Sequence, residues 1–313
     1  MIAEVKTQRL VYGETLVELG GENPAVVVLD ADVSNSTQTR LFAQAFPERF
    51  FNVGIAEANM VSMAAGLASC GYVPFVNTFA LFMALRAGDQ VRANVAATGL
   101  SVKMAGGYAG LSDHADGASH QSVEDIAVMR AIPGITVLVP SDIVETRQAT
   151  LAAAAHPGPV FLRLSRESVS RDYGADHPFS IGKAITLVDG DDLCFVAAGP
   201  VLKRVCQVAD MLSREGIQAR VIDMHTIKPL DIDAVEQAAR DCGAIVTVEE
   251  HTVLGGLGSA VAEAVCERYP VPVLRCGVPD KFGESGNYDE ILERAGLDTG
   301  SIARTAKRAR EMK

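Results

Sequence analysis

The sequence predicts an α/β protein of two domains, each with a mostly parallel sheet flanked by helices. Short β-branched runs alternate with longer alanine-rich segments, which is typical of a parallel sheet covered on both faces. A polar stretch rich in turn-forming residues, 165–183, interrupts this alternation, and a second alternating series follows it. The 313 residues, 48% of them hydrophobic, are enough to bury two cores.

The pattern of apolar residues predicts the positions of the strands and helices in each series. In the first series the predicted strands are 25–30, 50–53, 72–77, 101–106, 135–140 and 159–164, and the predicted helices are 8–20, 57–70, 79–97, 122–131 and 142–155. In the second series the predicted strands are 193–198, 218–222, 243–249 and 272–276, and the predicted helices are 201–215, 231–241, 257–269 and 299–311. We expect domains over 1–170 and 184–313, joined by a linker at 171–183.

Composition excludes some partners. The net charge of −11 argues against nucleic acid or an anionic membrane as the main partner, because both require a basic patch. The six cysteines form no Cys-x-x-Cys pair, which indicates free thiols and a cytoplasmic location. The uncharged run 58–85 is broken by polar residues, Gly71 and Pro74, so we expect a buried helix–strand–helix unit there and no membrane span.

Glu57 is the only carboxylate in the apolar run 51–71, and the next charged residue is Arg86. Helical spacing places Met60, Val61 and Ala64 on its face. The helix dipole favours an anion in the first turn, whereas burial disfavours it. The pattern leaves two interpretations, a first-turn acid in solvent or a buried carboxylate with a function.

Two further groups are candidates for binding. Phe79 and Phe82 lie one helical turn apart, as in a core aromatic pair or a slot for a flat ring. The polar segment 110–125 follows a predicted strand, where open α/β sheets bind ligands. Its cluster of His114, Asp116 and His120 suits a metal or a polyhydroxylated substrate.

Arg9 and Arg166 are each compatible with a surface charge. If both point into one pocket, they form a clamp for an anion, because guanidinium matches phosphate bidentately.

Four segments, taken in order, resemble the transketolase family of thiamine diphosphate enzymes. They are "NVGIAEANMVSMAAGLA", "TFALFMALRAGDQVR", "DGASHQ" and "ARVIDMHTIKPLD". The resemblance covers nearly the whole chain and implies a pyrimidine-binding domain followed by the transketolase C-terminal domain. It implies transfer of a two-carbon ketol unit between sugar phosphates.

The resemblance also implies a role for each candidate residue. Glu57 would hydrogen-bond the aminopyrimidine ring of thiamine diphosphate and favour its imino tautomer, a general acid–base task. Phe79 and Phe82 would line the pocket of that ring. His120, implied to be catalytic like Glu57, and Asp116 would contact the substrate's hydroxyls near the reacting carbons. The substrate's terminal phosphate would be bound by Arg9, Ser36 and Arg166.

The family's Gly-Asp-Gly…Asn motif, which binds the diphosphate through Mg²⁺, is absent from this sequence. We therefore expect one subunit of a split transketolase, with no metal ligands of its own. A partner polypeptide would supply the diphosphate and Mg²⁺ site, in an assembly with two copies of each subunit.

The sequence departs from the family at three places. A family aromatic residue is Leu85 here, a family histidine aligns with Tyr108, and "LSDHA" precedes the Asp-Gly motif. These changes make pentose phosphates a weaker expectation and leave open another sugar phosphate, a sulfonate or a branched sugar.

Three alternative functions remain. The β subunits of 2-oxo acid dehydrogenases share the two-domain layout, and a 1-deoxyxylulose-phosphate synthase-like activity is a further variant. "DGASHQ" and the two arginines favour a sugar phosphate over a lipoyl-linked acid. The third alternative is a non-catalytic partner subunit.

Overall fold

The computed structural model describes residues 5–170, 173–174 and 177–313, and the side chains of all of these except Val5 and Ser170. Over these ranges the chain forms two α/β domains, each with a mostly parallel sheet between helices, which confirms the predicted fold class. Four positions of the expected linker, 171, 172, 175 and 176, lie outside the described residues.

The first sheet has seven strands in the order β12-β6-β7-β5-β4-β2-β3, in which β12 is Thr226–Lys228. Its six strands from the first domain are all parallel, and burial on both faces explains their continuous apolar sequences. These strands are β2 (Val26–Asp30), β3 (Phe50–Asn52), β4 (Val73–Phe79), β5 (Lys103–Gly107), β6 (Thr136–Leu138) and β7 (Val160–Arg163).

The helices of this domain cover both faces of the sheet. They are α1 (Gln8–Glu22), α2 (Ser34–Thr37), α3 (Arg40–Ala45), α4 (Glu57–Ser69), α5 (Ala80–Ala84), α6 (Gly88–Gln90), α7 (Asp125–Ala131) and α8 (Ile143–Ala155). A separate antiparallel pair joins β1 (Val5–Thr7) to β8 (Ser168–Ser170) and brings the start of the chain to the end of the domain.

The predicted helix 79–97 is wrong, because the segment divides into α5, α6 and a π-helical turn at Val91–Ala96. The backbone N–H of Ala87 bonds to the carbonyl of Phe82, five residues back, so regular α-helical bonding ends there. Arg86 lies in this break and reaches Glu57, and Gly88 begins the next helix. Tertiary contact therefore overrides a continuous apolar pattern.

The second sheet has five strands in the order β14-β13-β10-β11-β9. Its strands are β9 (Ile185–Val188), β10 (Leu193–Ala197), β11 (Ala219–Asp223), β13 (Ile245–Thr252) and β14 (Val273–Val278). Only β9, which was not predicted, is antiparallel. The helices are α9 (Leu202–Arg214), α10 (Ile232–Cys242), α11 (Leu257–Arg268), α12 (Tyr288–Arg294) and α13 (Thr299–Glu311).

The strand β12 (Thr226–Lys228) joins the two domains. It follows β11 in the chain, yet it pairs antiparallel with β6 at the edge of the first sheet. Ile227 is buried in a hydrophobic cluster that also contains Val137 of the first domain and Val196 of the second. The two cores are thus continuous, and no pattern in the sequence predicted this crossing.

No helix within the described ranges combines the length and apolar character that crossing a lipid bilayer requires.

A buried ion pair also connects the domains. Arg163, at the end of β7, donates from Nε to Asp125 Oδ2 at 2.8 Å, and both side chains are almost fully buried. Its Nη2 donates to the carbonyls of Ser122, at 3.2 Å, and Glu250, at 2.9 Å. One guanidinium therefore holds β7, the start of α7 and β13 together.

We expect Asp125→Ala to lower the free energy of unfolding by about 3–5 kcal/mol, because Arg163 would keep an unpaired buried charge. Urea denaturation measures this change. The control is Asp210→Ala, which breaks the exposed Asp210–Arg214 pair and should cost about 1 kcal/mol or less. Equal effects of the two substitutions would contradict the assignment.

A second buried polar cluster lies between the domains. Glu145 Oε2 accepts hydrogen bonds from the backbone N–H and the hydroxyl of Ser141, at 2.7 and 2.8 Å. The same hydroxyl lies 3.2 Å from Asp223 Oδ2, which also accepts a hydrogen bond from the Tyr173 hydroxyl. Burial raises the pKa of Glu145 to about 7, and burial together with the charge of Glu145 raises the pKa of Asp223.

We expect this cluster to make the protein less stable as pH rises. The folded state keeps a proton on Glu145 that the unfolded chain releases near its ordinary pKa of 4.5, so the stabilisation is complete below that pH and is lost as pH rises to about 7. Glu145→Gln, whose amide mimics the protonated acid, should flatten this decline in urea denaturation across the pH range. Glu48→Gln, at an exposed position, should keep the wild-type slope, and an unchanged slope in Glu145→Gln would refute the role of Glu145.

Candidate active site

The candidate residues meet at the carboxyl edge of the first sheet. In the parallel register, Phe79 of β4 lies beside Gly107 of β5, and Gly106 lies beside Arg163 of β7. The segments that follow these strands therefore emerge next to one another, as expected for an open α/β sheet. They carry Phe82, Tyr108 and Arg166 into one region.

Glu57 is buried at the start of α4, with 5% of its surface exposed, so the solvent-facing interpretation of this acid is wrong. Its Oε1 accepts a hydrogen bond from Arg86 Nη1 at 3.0 Å and lies 3.5 Å from Thr78 Oγ1. Among the described residues, every hydrogen bond to this side chain falls on Oε1. Oε2 therefore remains available as a hydrogen-bonding atom.

An aromatic cluster lies near Glu57. The ring centroids of Phe79 and Phe82 are 5.7 Å apart, and Tyr108 stacks on Phe79 at 4.5 Å. His120 meets both phenylalanines edge-on, at 5.8 and 5.3 Å. Phe79 and Phe82 are only half-buried, so they form the wall of an open site and not a closed core pair. The Arg86 guanidinium covers the Phe82 ring at 3.6 Å.

Two arginines converge on Tyr108. Arg9 Nη1 donates to the Tyr108 hydroxyl at 2.6 Å and to the carbonyl of Ser36 at 3.1 Å. The guanidinium carbons of Arg9 and Arg166 lie 5.4 and 5.2 Å from the centre of the Tyr108 ring. The structure thus brings together the three residues that the resemblance implied for anion binding, and it adds Tyr108.

Tyr108 itself adopts an uncommon backbone conformation, with φ of 57°. This left-handed geometry turns the chain sharply after β5 and brings the ring under both arginines. Non-glycine residues that persist in this region are frequent at functional sites.

The loop that follows carries Asp116 and His120, and the second domain anchors it. Leu111 N–H donates to Glu250 Oε1 at 2.7 Å, and the Tyr288 hydroxyl donates to Glu250 Oε2 at 2.6 Å. Gln121 Nε2 donates to the carbonyl of Glu284 at 3.1 Å. Asp116 is exposed and His120 is half-buried, with Ser119 Oγ 2.9 Å from its Nδ1.

His114 does not join the other candidates in a metal cluster. Its Nδ1 lies 3.0 Å from the carbonyl of Gly286, and its Nε2 lies 3.4 Å from Glu167. Within the described residues, no group of three or more His, Cys, Asp or Glu side chains is arranged to hold a metal ion. His114 instead fixes the loop to the second domain.

Asp113 is a site residue that sequence reasoning missed. Its side chain is fully buried, and its Oδ1 accepts a hydrogen bond from Arg166 Nη1 at 2.9 Å. Burial and then the charge of Asp116 raise the pKa of Asp113, while Arg166 and His120 oppose that rise. Nothing in the pattern "LSDHA" showed that this acid would face Arg166, which lies 53 positions further along the chain.

Arg86 was also missed as a site residue. The only signal was its position as the first charged residue after Glu57. Periodicity placed it in the middle of a helix, and only the break between α5 and α6 lets it turn back to Glu57.

Comparison with known proteins identifies relatives of this chain. A protein from Methanocaldococcus jannaschii, provisionally named as a C-terminal section of transketolase, is 44% identical over 96% of this chain and 95% of its own length. A 6-deoxy-6-sulfo-D-fructose transketolase subunit from Clostridium sp. (strain MSTE9) is 41% identical over 96% of this chain and 94% of its own length. A 1-deoxy-D-xylulose-5-phosphate synthase from Thermomicrobium roseum is 39% identical over 94% of this chain but only 47% of its own length.

A solved structure has the same fold. It is described as a split gene transketolase in an inactive β4 tetramer, and it superposes with a TM-score of 0.91 at 46% identity, covering 98% of this chain and 99% of the other.

Family models match both domains. The transketolase pyrimidine-binding domain matches residues 5–171, and the transketolase C-terminal domain matches residues 182–302. The chain therefore belongs to the transketolase family, which depends on thiamine diphosphate.

Proposed function

We propose that this chain is the pyrimidine-binding subunit of a split transketolase, which transfers a two-carbon ketol unit between sugar phosphates or related ketoses. A partner chain would supply the diphosphate and Mg²⁺ site. The observation that carries the proposal is the convergence of Glu57, the aromatic wall and the two arginines at one sheet edge. We also propose domain bounds of 1–170 and 184–313, with 171–183 between them.

The residues present fit the pyrimidine half of thiamine diphosphate. A flat ring matches the half-buried wall of Phe79 and Phe82, and Oε2 of the buried Glu57 is available to hydrogen-bond a ring nitrogen. When bound, the cofactor supplies a nucleophilic carbon that carries the two-carbon unit. Glu57 would hold and return a proton at the ring nitrogen, a role that needs a carboxylate shielded from water.

The other residues would bind the sugar. His120, whose ring edge contacts the aromatic wall, and the exposed Asp116 would hydrogen-bond the hydroxyl groups near the reacting carbons. Arg9 and Arg166, whose guanidinium groups both lie over the Tyr108 ring, would bind the distal anion of the sugar. Ser36 contributes its backbone carbonyl, which holds Arg9 in place.

Exposed apolar residues beside Glu57 support a partner chain. Ile55 is 75% exposed and Leu85 is 52% exposed, and they lie two residues before Glu57 and one before Arg86. In the proposed assembly the partner chain would cover these two side chains and bury their apolar surface. By the family's pattern we propose two copies of each subunit.

We expect the purified chain to show no ketol transfer alone and full transfer after mixing with a chain that carries the Gly-Asp-Gly…Asn motif, of about 270–300 residues. The measurement is ketose-dependent product formation with thiamine diphosphate and Mg²⁺ present, and a partner boiled before mixing is the control. Full activity of this chain alone would overturn the split-enzyme proposal.

We expect Glu57→Gln to lower kcat of the reconstituted pair by about 10²–10⁴-fold, since this is the usual contribution of a general acid–base group. Circular dichroism and an unchanged melting temperature would show that the fold survives. Glu48→Gln, at an exposed position of the same domain, should keep wild-type turnover. If kcat of the reconstituted pair with Glu57→Gln stays within a few-fold of the wild-type value, Glu57 is not the general acid–base group.

A second candidate function is a 1-deoxyxylulose-phosphate synthase-like reaction, which the similarity to one such enzyme supports. The two functions differ in the donor, because the synthase-like reaction starts from pyruvate. Turnover of pyruvate, but not of ketoses, by the reconstituted pair would favour this second candidate.

A further inference from the structure

The distal anion site contains an opposing charge. Arg9 and Arg166 bring two positive charges to Tyr108, but Arg166 shares one of these with Asp113 across a 2.9 Å contact. Among the described residues, Arg9 has no carboxylate partner. These three side chains therefore carry a formal net charge of +1.

The burial of Asp113 makes its charge effective. The carboxylate is 0% exposed, so water does not screen it as it screens a surface acid. Its second oxygen, Oδ2, is buried without a hydrogen-bond partner. Apart from Arg166, the described residues donate no hydrogen bond to this carboxylate, and its charge repels any further anion that this guanidinium binds.

We propose that Asp113 limits the charge that the distal site accepts, so that it weakens the site's preference for a substrate tail with two negative charges over a tail with one. The repulsion from Asp113 grows with each charge on the tail. A dianionic phosphate therefore loses more than a monoanionic group of the same shape, such as a sulfate ester or a sulfonate. Asp113 acts through Arg166 and is a positioning residue, not a catalytic one.

The role of Asp113 rests on the proposed function only in one respect, the assumption that the bound substrate is a sugar with an anionic tail. Arg9, Ser36, Tyr108, Asp113 and Arg166 all belong to this chain, so the anion site can be tested without the partner.

A purely structural role for Asp113 predicts the opposite result. If the carboxylate only orients Arg166 for phosphate, its removal should weaken phosphate binding. If it sets the charge, its removal should strengthen phosphate binding relative to a monoanion. Asp113→Asn distinguishes the orienting role from the charge-setting role, because the asparagine side-chain carbonyl can still accept the hydrogen bond from Arg166 Nη1 but carries no charge.

The direct test measures binding of methyl phosphate and methyl sulfate to the full chain by calorimetry at about pH 8, where the phosphate is a dianion. Asp113→Asn should shift the ratio of the two dissociation constants roughly tenfold towards methyl phosphate, the size expected for one unit of charge at partly screened separation. An unchanged ratio, or a loss of methyl phosphate binding alone, would overturn the proposal.

The catalytic test uses the reconstituted pair with fructose 6-phosphate and fructose 6-sulfate, two donors that differ in tail charge. Asp113→Asn should raise the kcat/KM for fructose 6-phosphate, relative to that for fructose 6-sulfate, roughly tenfold. Most of this change should be in KM. Asp210→Asn removes an equally arginine-paired but exposed carboxylate and should leave the ratio unchanged. A ratio that is equally unchanged in Asp113→Asn would contradict the proposal.

Hydroxypyruvate, a ketol donor without a distal tail, distinguishes a failure of the proposed function from a failure of the role assigned to Asp113. If the wild-type pair does not turn it over, the proposed function fails, while methyl phosphate and methyl sulfate binding still decides the role of Asp113. If the pair turns it over, and Asp113→Asn changes neither binding nor the kcat/KM ratio, only the role of Asp113 fails.

Discussion

The contacts of Arg163 are the constraint on which the rest of the site depends. Its buried guanidinium pairs with Asp125 at the start of α7 and donates to carbonyls on either side of the domain boundary. These bonds fix both ends of the loop that carries Asp116 and His120, because Ser122 closes the loop and Glu250 binds its Leu111 N–H. The second domain therefore acts as the support of a site formed by the first.

The two ends of the site differ in completeness. At the distal end, the arginines, Tyr108 and Asp113 already form a connected network within this chain. At the other end, the exposed apolar residues Ile55 and Leu85 lie within three positions of Glu57 and Phe82 in the sequence. This asymmetry fits the proposed shared active site, in which the substrate tail would contact this chain alone and the cofactor would contact two chains.

Much of the fold followed from pattern. The parallel strands β2, β4, β5 and β7 and the helices α9, α10, α11 and α13 lie within a few residues of their predicted positions, because their apolar periodicity is long and regular. The strands β1, β8, β9 and β12 were not predicted; β3, β6 and β7 are equally short, but they lie within predicted apolar runs. The helix 79–97 was wrong because the contact between Arg86 and Glu57 decides where it breaks.

The sequence by itself determined the family resemblance and the candidate side chains, because both depend on residues close together along the chain. It also identified Glu57 as an acid in an apolar environment. Only the tertiary structure decided which charges meet, as with Asp113 and Arg166, 53 positions apart. Such pairs depend on the direction of each side chain in a packed fold, and the packing that removes the Asp113 carboxylate from water strengthens its interaction with Arg166.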